Sequence, residues 1–185
     1  MNYAAIKKTD VANGPGIRVS LFVSGCRHRC RGCFNREAWD FHYGSVYTED
    51  TEREILRALA PEYIRGMSVL GGEPMEPENR GTVLGLLREV RRNYPGKDIW
   101  CYTGYDFERD LLRWKAREEL QEGNCSQAGE FSETAELLSL IDVLVDGPFV
   151  EERKNLRLAF RGSDNQRLID VRTSVNQGQT VCLTM

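Results

Sequence analysis

The sequence lacks any run of about eighteen apolar residues, so no membrane-spanning helix is expected. Its first ten residues, Met1 to Asp10, hold two lysines but no apolar stretch and no small-residue cleavage site, so no secretory leader is expected either. Neither sign of charge dominates: 25 Lys and Arg face 28 Asp and Glu, a net charge of −3 that gives no reason to expect a nucleic-acid backbone as partner. Internal repeats and low-complexity tracts are absent. Cysteine is sparse, six in 185 residues, yet Cys26, Cys30 and Cys33 crowd into one short stretch while Cys101, Cys125 and Cys182 are scattered. A secreted disulfide framework spreads its cysteines along a shorter chain. Reduced thiols in the cytoplasm are therefore expected, and a tight group of such thiols points to metal.

What is present suits one domain. Apolar residues make up 41% of the chain, enough for one core and short for two. Arg18 to Ser24 is a β-rich apolar run that stops at Gly25, directly before the cysteines. Thr51-Glu-Arg-Glu54 reads as a capping box for a helix running to about Ala60. Met67 to Leu70 predicts a buried strand ending at Gly71-Gly72. Val83, Leu86, Leu87, Val90 and Tyr94 recur at helical spacing until Pro95-Gly96. Asp98 to Thr103 predicts a third strand, Asp106 opens a third helix, Glu133 to Leu140 a fourth, and Ile141 to Val145 a fourth strand. This alternation predicts an α/β fold, with parallel strands joined by crossover helices. Residues 115–132 read as a surface insertion, part helix and part loop, on a single domain spanning 1–170; residues 171–185 read as a polar tail, extended or partly disordered.

Parallel sheets gather their sites at the C-terminal ends of strands. Four segments fall there: the cysteine loop, Gly71-Gly-Glu-Pro74, Thr103-Gly104 and Asp146-Gly-Pro148. Cys26, Cys30 and Cys33 are spaced C-x3-C-x2-C. A structural zinc site or an electron-transfer [4Fe–4S] cluster wants four protein ligands. Three leave one metal position open, which suits catalysis better than scaffolding. The plainer alternative is a zinc knuckle completed by His42 or a distant cysteine. His28 is expected to face solvent or stand behind the ligands, and Cys101 to be a small core residue.

The C-x3-C-x2-C loop after a first strand, followed by Gly71-Gly-Glu-Pro74 at the end of the next, resembles the radical S-adenosylmethionine (SAM) superfamily. That resemblance implies a shortened, open partial (β/α) barrel of mostly parallel strands. It implies a [4Fe–4S] cluster on Cys26, Cys30 and Cys33, whose open iron is chelated by SAM, and a contact from Gly71, Gly72, Glu73 and Pro74 to the methionine amino group. Two glycines let the backbone approach a ligand closely, and Glu73 can pair with a cationic amine. Much of the superfamily carries an aromatic residue just before the third cysteine. Here that position is Gly32, so the adenine contact passes to the Gly32 backbone and to Phe34.

Further blocks resemble the activating proteins of anaerobic ribonucleotide reductase: Asn13-Gly-Pro-Gly-Ile-Arg18, Leu21 to Cys26, Gly32-Cys-Phe-Asn35 with Trp39, Pro95 to Trp100 with Tyr102-Thr-Gly-Tyr105, Asp142 to Phe149, and Arg161 to Arg167. This finer resemblance implies that SAM is cleaved and a glycyl radical installed on the large subunit of that reductase, with a flavodoxin-like protein as reductant. Asp146 is a candidate for the SAM amino group, the ribose or a monovalent cation, or else a turn cap; Thr103 is a similar candidate. Asn13 to Gly16 borders a partner groove or is only a turn. Arg161 to Arg167 orders a late loop or contacts the partner. Arg27, Arg29, Arg31 and Arg36 either offset cluster charge and attract an acidic reductant or are solvated loop charges. Rival readings are an activase of a formate-lyase-type enzyme, a radical SAM enzyme acting on a small molecule, and a non-enzymatic iron–sulfur or zinc module.

Overall fold

A computed structural model describes residues 1–122 and 133–184. The second half of the expected insertion, with Cys125, lies outside the described residues. Seven strands form one open sheet: β1 (Asn2–Asp10), β2 (Ile17–Val23), β3 (Ser45–Val46), β4 (Ile64–Gly71), β5 (Asp98–Tyr102), β6 (Val143–Asp146) and β7 (Arg167–Asp170). Their order is β3-β1-β2-β4-β5-β6-β7. The centre, β2-β4-β5-β6, is parallel, and β1, β3 and β7 add antiparallel edges.

Crossovers run through α1 (Glu49–Leu59), α2 (Pro77–Asn93), and then α3 (Leu112–Glu122) with α4 (Glu133–Leu140). Side chains alternate along each strand, so each face has its own content. Val19, Leu21, Met67, Val69, Ile99, Cys101 and Leu144 join the helices' Ile55, Leu59, Val83, Leu87, Val90 and Leu137 in the main core. The intervening positions turn the other way: Arg18, Ser20, Phe22, Ser68, Leu70, Trp100 and Tyr102. Among the described residues no helix covers them; Trp100 instead packs with Val143, Val145 and Leu168. Among the described residues, no helix is long and apolar enough to cross a membrane.

Two sequence-based expectations are corrected, and one strand is added. The helix after β3 is capped three residues earlier than read: Thr48 accepts from the Thr51 N–H, and the Thr51 side chain answers to the Thr48 backbone. Asn2–Asp10, which carry no apolar period, form β1, between β3 and β2. The polar tail is not extended throughout. Asp170 caps a short helix, α5 (Val171–Gln177), Gly178 ends it with φ +65°, and Val181 and Leu183 return to bond the β7 backbone at 2.9 and 2.7 Å.

Candidate functional site

The cysteine loop leaves β2 at its C-terminal end and is tied down at once. The Gly25 and Cys26 N–H groups donate to the carbonyls of Ala38 and Trp39. Arg29 adopts φ +47°, a left-handed turn that costs a non-glycine residue about 1–2 kcal/mol and folds the loop back between Cys26 and Cys30. The next strand end is stitched to it: Gly72 N–H reaches Val23 O at 2.7 Å and Glu73 N–H reaches Gly25 O at 2.8 Å. Only glycines allow this approach. Gly71 has φ +111°, and a Cβ on Gly72 would stand 2.6 Å from Gly25 O.

Cys26, Cys30 and Cys33, with Phe34, Gly71, Gly72, Glu73 and Thr103, line one cavity of about 130 Å³. Gly32 lines instead a neighbouring cavity of about 660 Å³, which shares Cys33, Phe34, Leu70, Tyr102, Phe149 and Gln166 with the first. Pro74 is buried behind Glu73. Phe34 is 84% exposed on the rim of both cavities.

The donor set fits an iron–sulfur cluster better than a single ion. All three loop cysteines are unpaired. Tetrahedral Zn–S bonds of about 2.3 Å place sulfurs roughly 3.8 Å apart. Among the described residues, the one trio of metal-ligating groups drawn within 4.8 Å is Asp106, Glu108 and Asp146, not the three cysteines. His42 stands on the surface with a 94% exposed side chain and completes no zinc site. Burial, reinforced by Glu73, pushes the Cys26 thiol up to about 11, and burial raises Cys30 as well. Both are protonated at neutral pH unless a cation replaces the proton, as metal ligation does.

Glu73 is 1% exposed, and both its oxygens are occupied. Oε1 accepts from Met75 N–H at 2.9 Å and Thr103 Oγ1 at 2.8 Å; Oε2 accepts from Gly104 N–H at 2.7 Å. Thr103 therefore acts on the cavity partly through Glu73. His28 faces inward, its Nε2 3.2 Å from Glu73 Oε2, within ion-pair range though not aligned along the N–H direction. Burial lowers the His28 pKa, but the adjacent carboxylate of Glu73, with the charges of Glu76 and Asp110, leaves it above the ordinary value. Sequence reasoning also missed Glu76 and Asn79, both buried. Glu76 takes the Arg27 N–H at 2.9 Å, and the Asn79 amide bonds the carbonyls of Ser24 and Glu73. The only signal was position, just past Gly-Gly-Glu-Pro and around Pro77 at a helix start.

Asp146 is not brought to the cavity. Its carboxylate accepts from Phe107 N–H at 3.0 Å and from Arg167, whose Nε stands 3.0 Å away. Arg167 also bonds Glu108 at 2.6 and 3.0 Å, so the cation among Asp106, Glu108 and Asp146 is a guanidinium. The rest of this late block orders the loop after β6: Asn165 donates to Pro148 O, Gln166 to Gly147 O, and Ser163 Oγ accepts from Val150 N–H. That loop walls the larger cavity. The Arg167 hydrogen bond holds the Glu108 pKa below its usual 4.5. A depressed carboxylate contributes stability above the unfolded pKa and loses it as pH falls through the folded one. Glu108 is 41% exposed, so the contribution is about 1 kcal/mol or less. Glu108→Gln should lower the melting temperature slightly at pH 7, and the difference should shrink below about pH 4.5. A gap that stays constant into acid would contradict this.

The loop arginines are partly neutralised. Arg27 pairs with Glu76 and Glu78, and Arg31 with Glu151 and Glu152. Arg36 lies over the Trp39 ring.

Residues 12–169 match the family described as a 4Fe-4S single cluster domain, and three unpaired thiols at the C-terminal edge of a parallel sheet suit such a cluster. The chain is 42% identical over 168 residues to the anaerobic ribonucleoside-triphosphate reductase-activating protein of Vibrio cholerae, covering 90% of this chain and 96% of that one. It is 39% identical to the proteins of that name from Enterobacteria phage T4 (91% and 93% covered) and Escherichia coli (90% and 96%). The chain belongs to the family of anaerobic ribonucleoside-triphosphate reductase-activating proteins.

Proposed function

We propose that this chain is a radical SAM activase that installs a glycyl radical on the large subunit of anaerobic ribonucleotide reductase. Cys26, Cys30 and Cys33 would hold a [4Fe–4S] cluster and leave one iron position free for SAM. Bound there and reduced by a flavodoxin-like protein, such a cluster would supply the electron for cleavage of SAM to methionine and a 5′-deoxyadenosyl radical, the species that would take a hydrogen from the target glycine.

The other residues of this chain bind and shield. Gly71, Gly72 and Glu73 face the methionine end, with Glu73 opposite its amino group and Pro74 backing the turn from its buried side. Gly32 and Phe34 border the adenine. Asp146 supports the cavity from behind, through Arg167 and the loop that follows Gly147. We read the open sheet as a shortened (β/α) half-barrel whose helix-free face is the reaction chamber, and the partner's glycine segment as the cover that excludes water. A reducing cytoplasm is the setting that keeps such thiols available.

The observation that carries the reading is that three unpaired thiols and the Gly-Gly-Glu turn line one cavity, which opens into a larger one. The names of the relatives favour the reductase over a formate-lyase-type partner. The test is anaerobic reconstitution with iron and sulfide, then SAM and dithionite. Production of 5′-deoxyadenosine is expected; a fully loaded protein that cleaves no SAM would sink the reading.

A further inference from the structure

A carboxylate shut away from water is tolerated only where donors surround it. Three of the groups around Glu73 belong to its own turn or to the end of β5: Met75 N–H, Thr103 Oγ1 and Gly104 N–H. The fourth, His28 Nε2 at 3.2 Å, approaches at ion-pair distance rather than as an aligned hydrogen-bond donor, and it is the one that comes from the cysteine loop. The imidazole is lodged in place. It meets Tyr105 edge to face, with centroids 4.4 Å apart. It also lies over Gly104 so closely that a Cβ there would fall 2.5 Å from the ring.

We infer that His28 is a positioning residue that ties the cysteine loop to Glu73 and so sets where this carboxylate stands relative to the open cluster position. The inference rests on the activase reading, in which SAM is gripped at both points. The three thiolates hold the cluster without His28. Once the link is lost, however, the loop and the carboxylate shift independently, and a ligand that must meet both binds more weakly.

Two variants approach the link from opposite sides. His28→Phe keeps the ring and its Tyr105 contact but removes Nε2. Gly104→Ala keeps His28 but places a methyl where the ring sits; Gly104 is not among the left-handed glycines, so its backbone accepts alanine. The experiment is anaerobic equilibrium dialysis of SAM against cluster-loaded proteins, with iron content and the SAM-induced change in the cluster's electron paramagnetic resonance spectrum recorded alongside. Both variants should keep their iron and bind SAM roughly tenfold more weakly, in the range for residues that orient metal-site ligands. His28→Gln, which restores a donor, should recover part of the loss. His28→Ala combined with Gly104→Ala should bind no more weakly than His28→Ala alone, because the methyl then displaces nothing. Wild-type SAM affinity in His28→Phe, or losses that add in full, would overturn the inference. Iron loss from His28→Phe would also overturn it, by making His28 part of the cluster scaffold. A loaded wild-type protein that binds no SAM would instead overturn the activase reading.

Discussion

Cys26→Ala, Cys30→Ala and Cys33→Ala, reconstituted anaerobically, should each hold no [4Fe–4S] cluster and release no 5′-deoxyadenosine above background. The reasoning is one of coordination number. In the proposed site each thiolate would serve one iron of the cluster, and one iron would already be without a protein ligand. Removing another sulfur leaves two irons to be held by water or small ligands, so the chelation that assembles the cluster is lost. The loop has no substitute to offer: His28 is engaged with Glu73, and His42 is on the surface. Cys182→Ala and Cys125→Ala should keep the cluster. Cys101, fully buried under β5, should tolerate serine with some loss of stability but no loss of iron. Iron content and visible absorbance check the series, and a retained cluster in any of the first three would count against the ligand assignment.

Arg18→Ala should produce the largest loss of stability. Arg18 is fully buried on the helix-free face. Its guanidinium pairs with Asp98 at 2.5 Å, donates to Ser68 Oγ at 2.8 Å and Met67 O at 2.7 Å, and lies over the Trp100 ring. Burial lowers its pKa and Asp98 opposes that, but a guanidinium stays charged. Truncation leaves these acceptors unanswered and opens a hole between β2, β4 and β5. Breaking one partner out of such an arrangement costs about 3–5 kcal/mol, roughly 6–20 °C in melting temperature for a chain of this size. Lysine cannot restore it, since an ammonium has no planar fork to span Asp98, Ser68 and Met67 together. Thermal melts of the metal-free protein check this, and a shift under about 2 °C would show that the network contributes little.

The parts of this architecture that were legible in the sequence have a period or a spacing. β2, β4, β5 and β6 are short apolar runs that end in glycine or a polar turn, and α2 repeats Val83, Leu86, Leu87 and Val90 at helical intervals. The cysteine spacing and the Gly-Gly-Glu-Pro turn needed only adjacency along the chain. β1 and β7 escaped because these antiparallel margins of the sheet carry no clean apolar alternation, and α5 because it is a short polar helix with only Val171 and Ser174 buried. The cap of α1 slipped because both Thr48 and Thr51 can begin a capping pattern, and only the folded backbone chooses between them. Asp146 looked like a ligand because it ends a strand beside the site. Its partner Arg167 lies on β7, which no local signal placed next to β6. The contact between His28 and Glu73 was hidden for the same reason: it depends on β2 and β4 being neighbours.

The central claim is that the radical generated here is delivered to another protein. Its most direct test is to mix the reconstituted, reduced protein with SAM and the large subunit of anaerobic ribonucleotide reductase, freeze the sample, and record its electron paramagnetic resonance spectrum. A glycyl-radical doublet on the reductase, accompanied by 5′-deoxyadenosine, is the predicted result. SAM cleavage without any doublet on that subunit would contradict the claim.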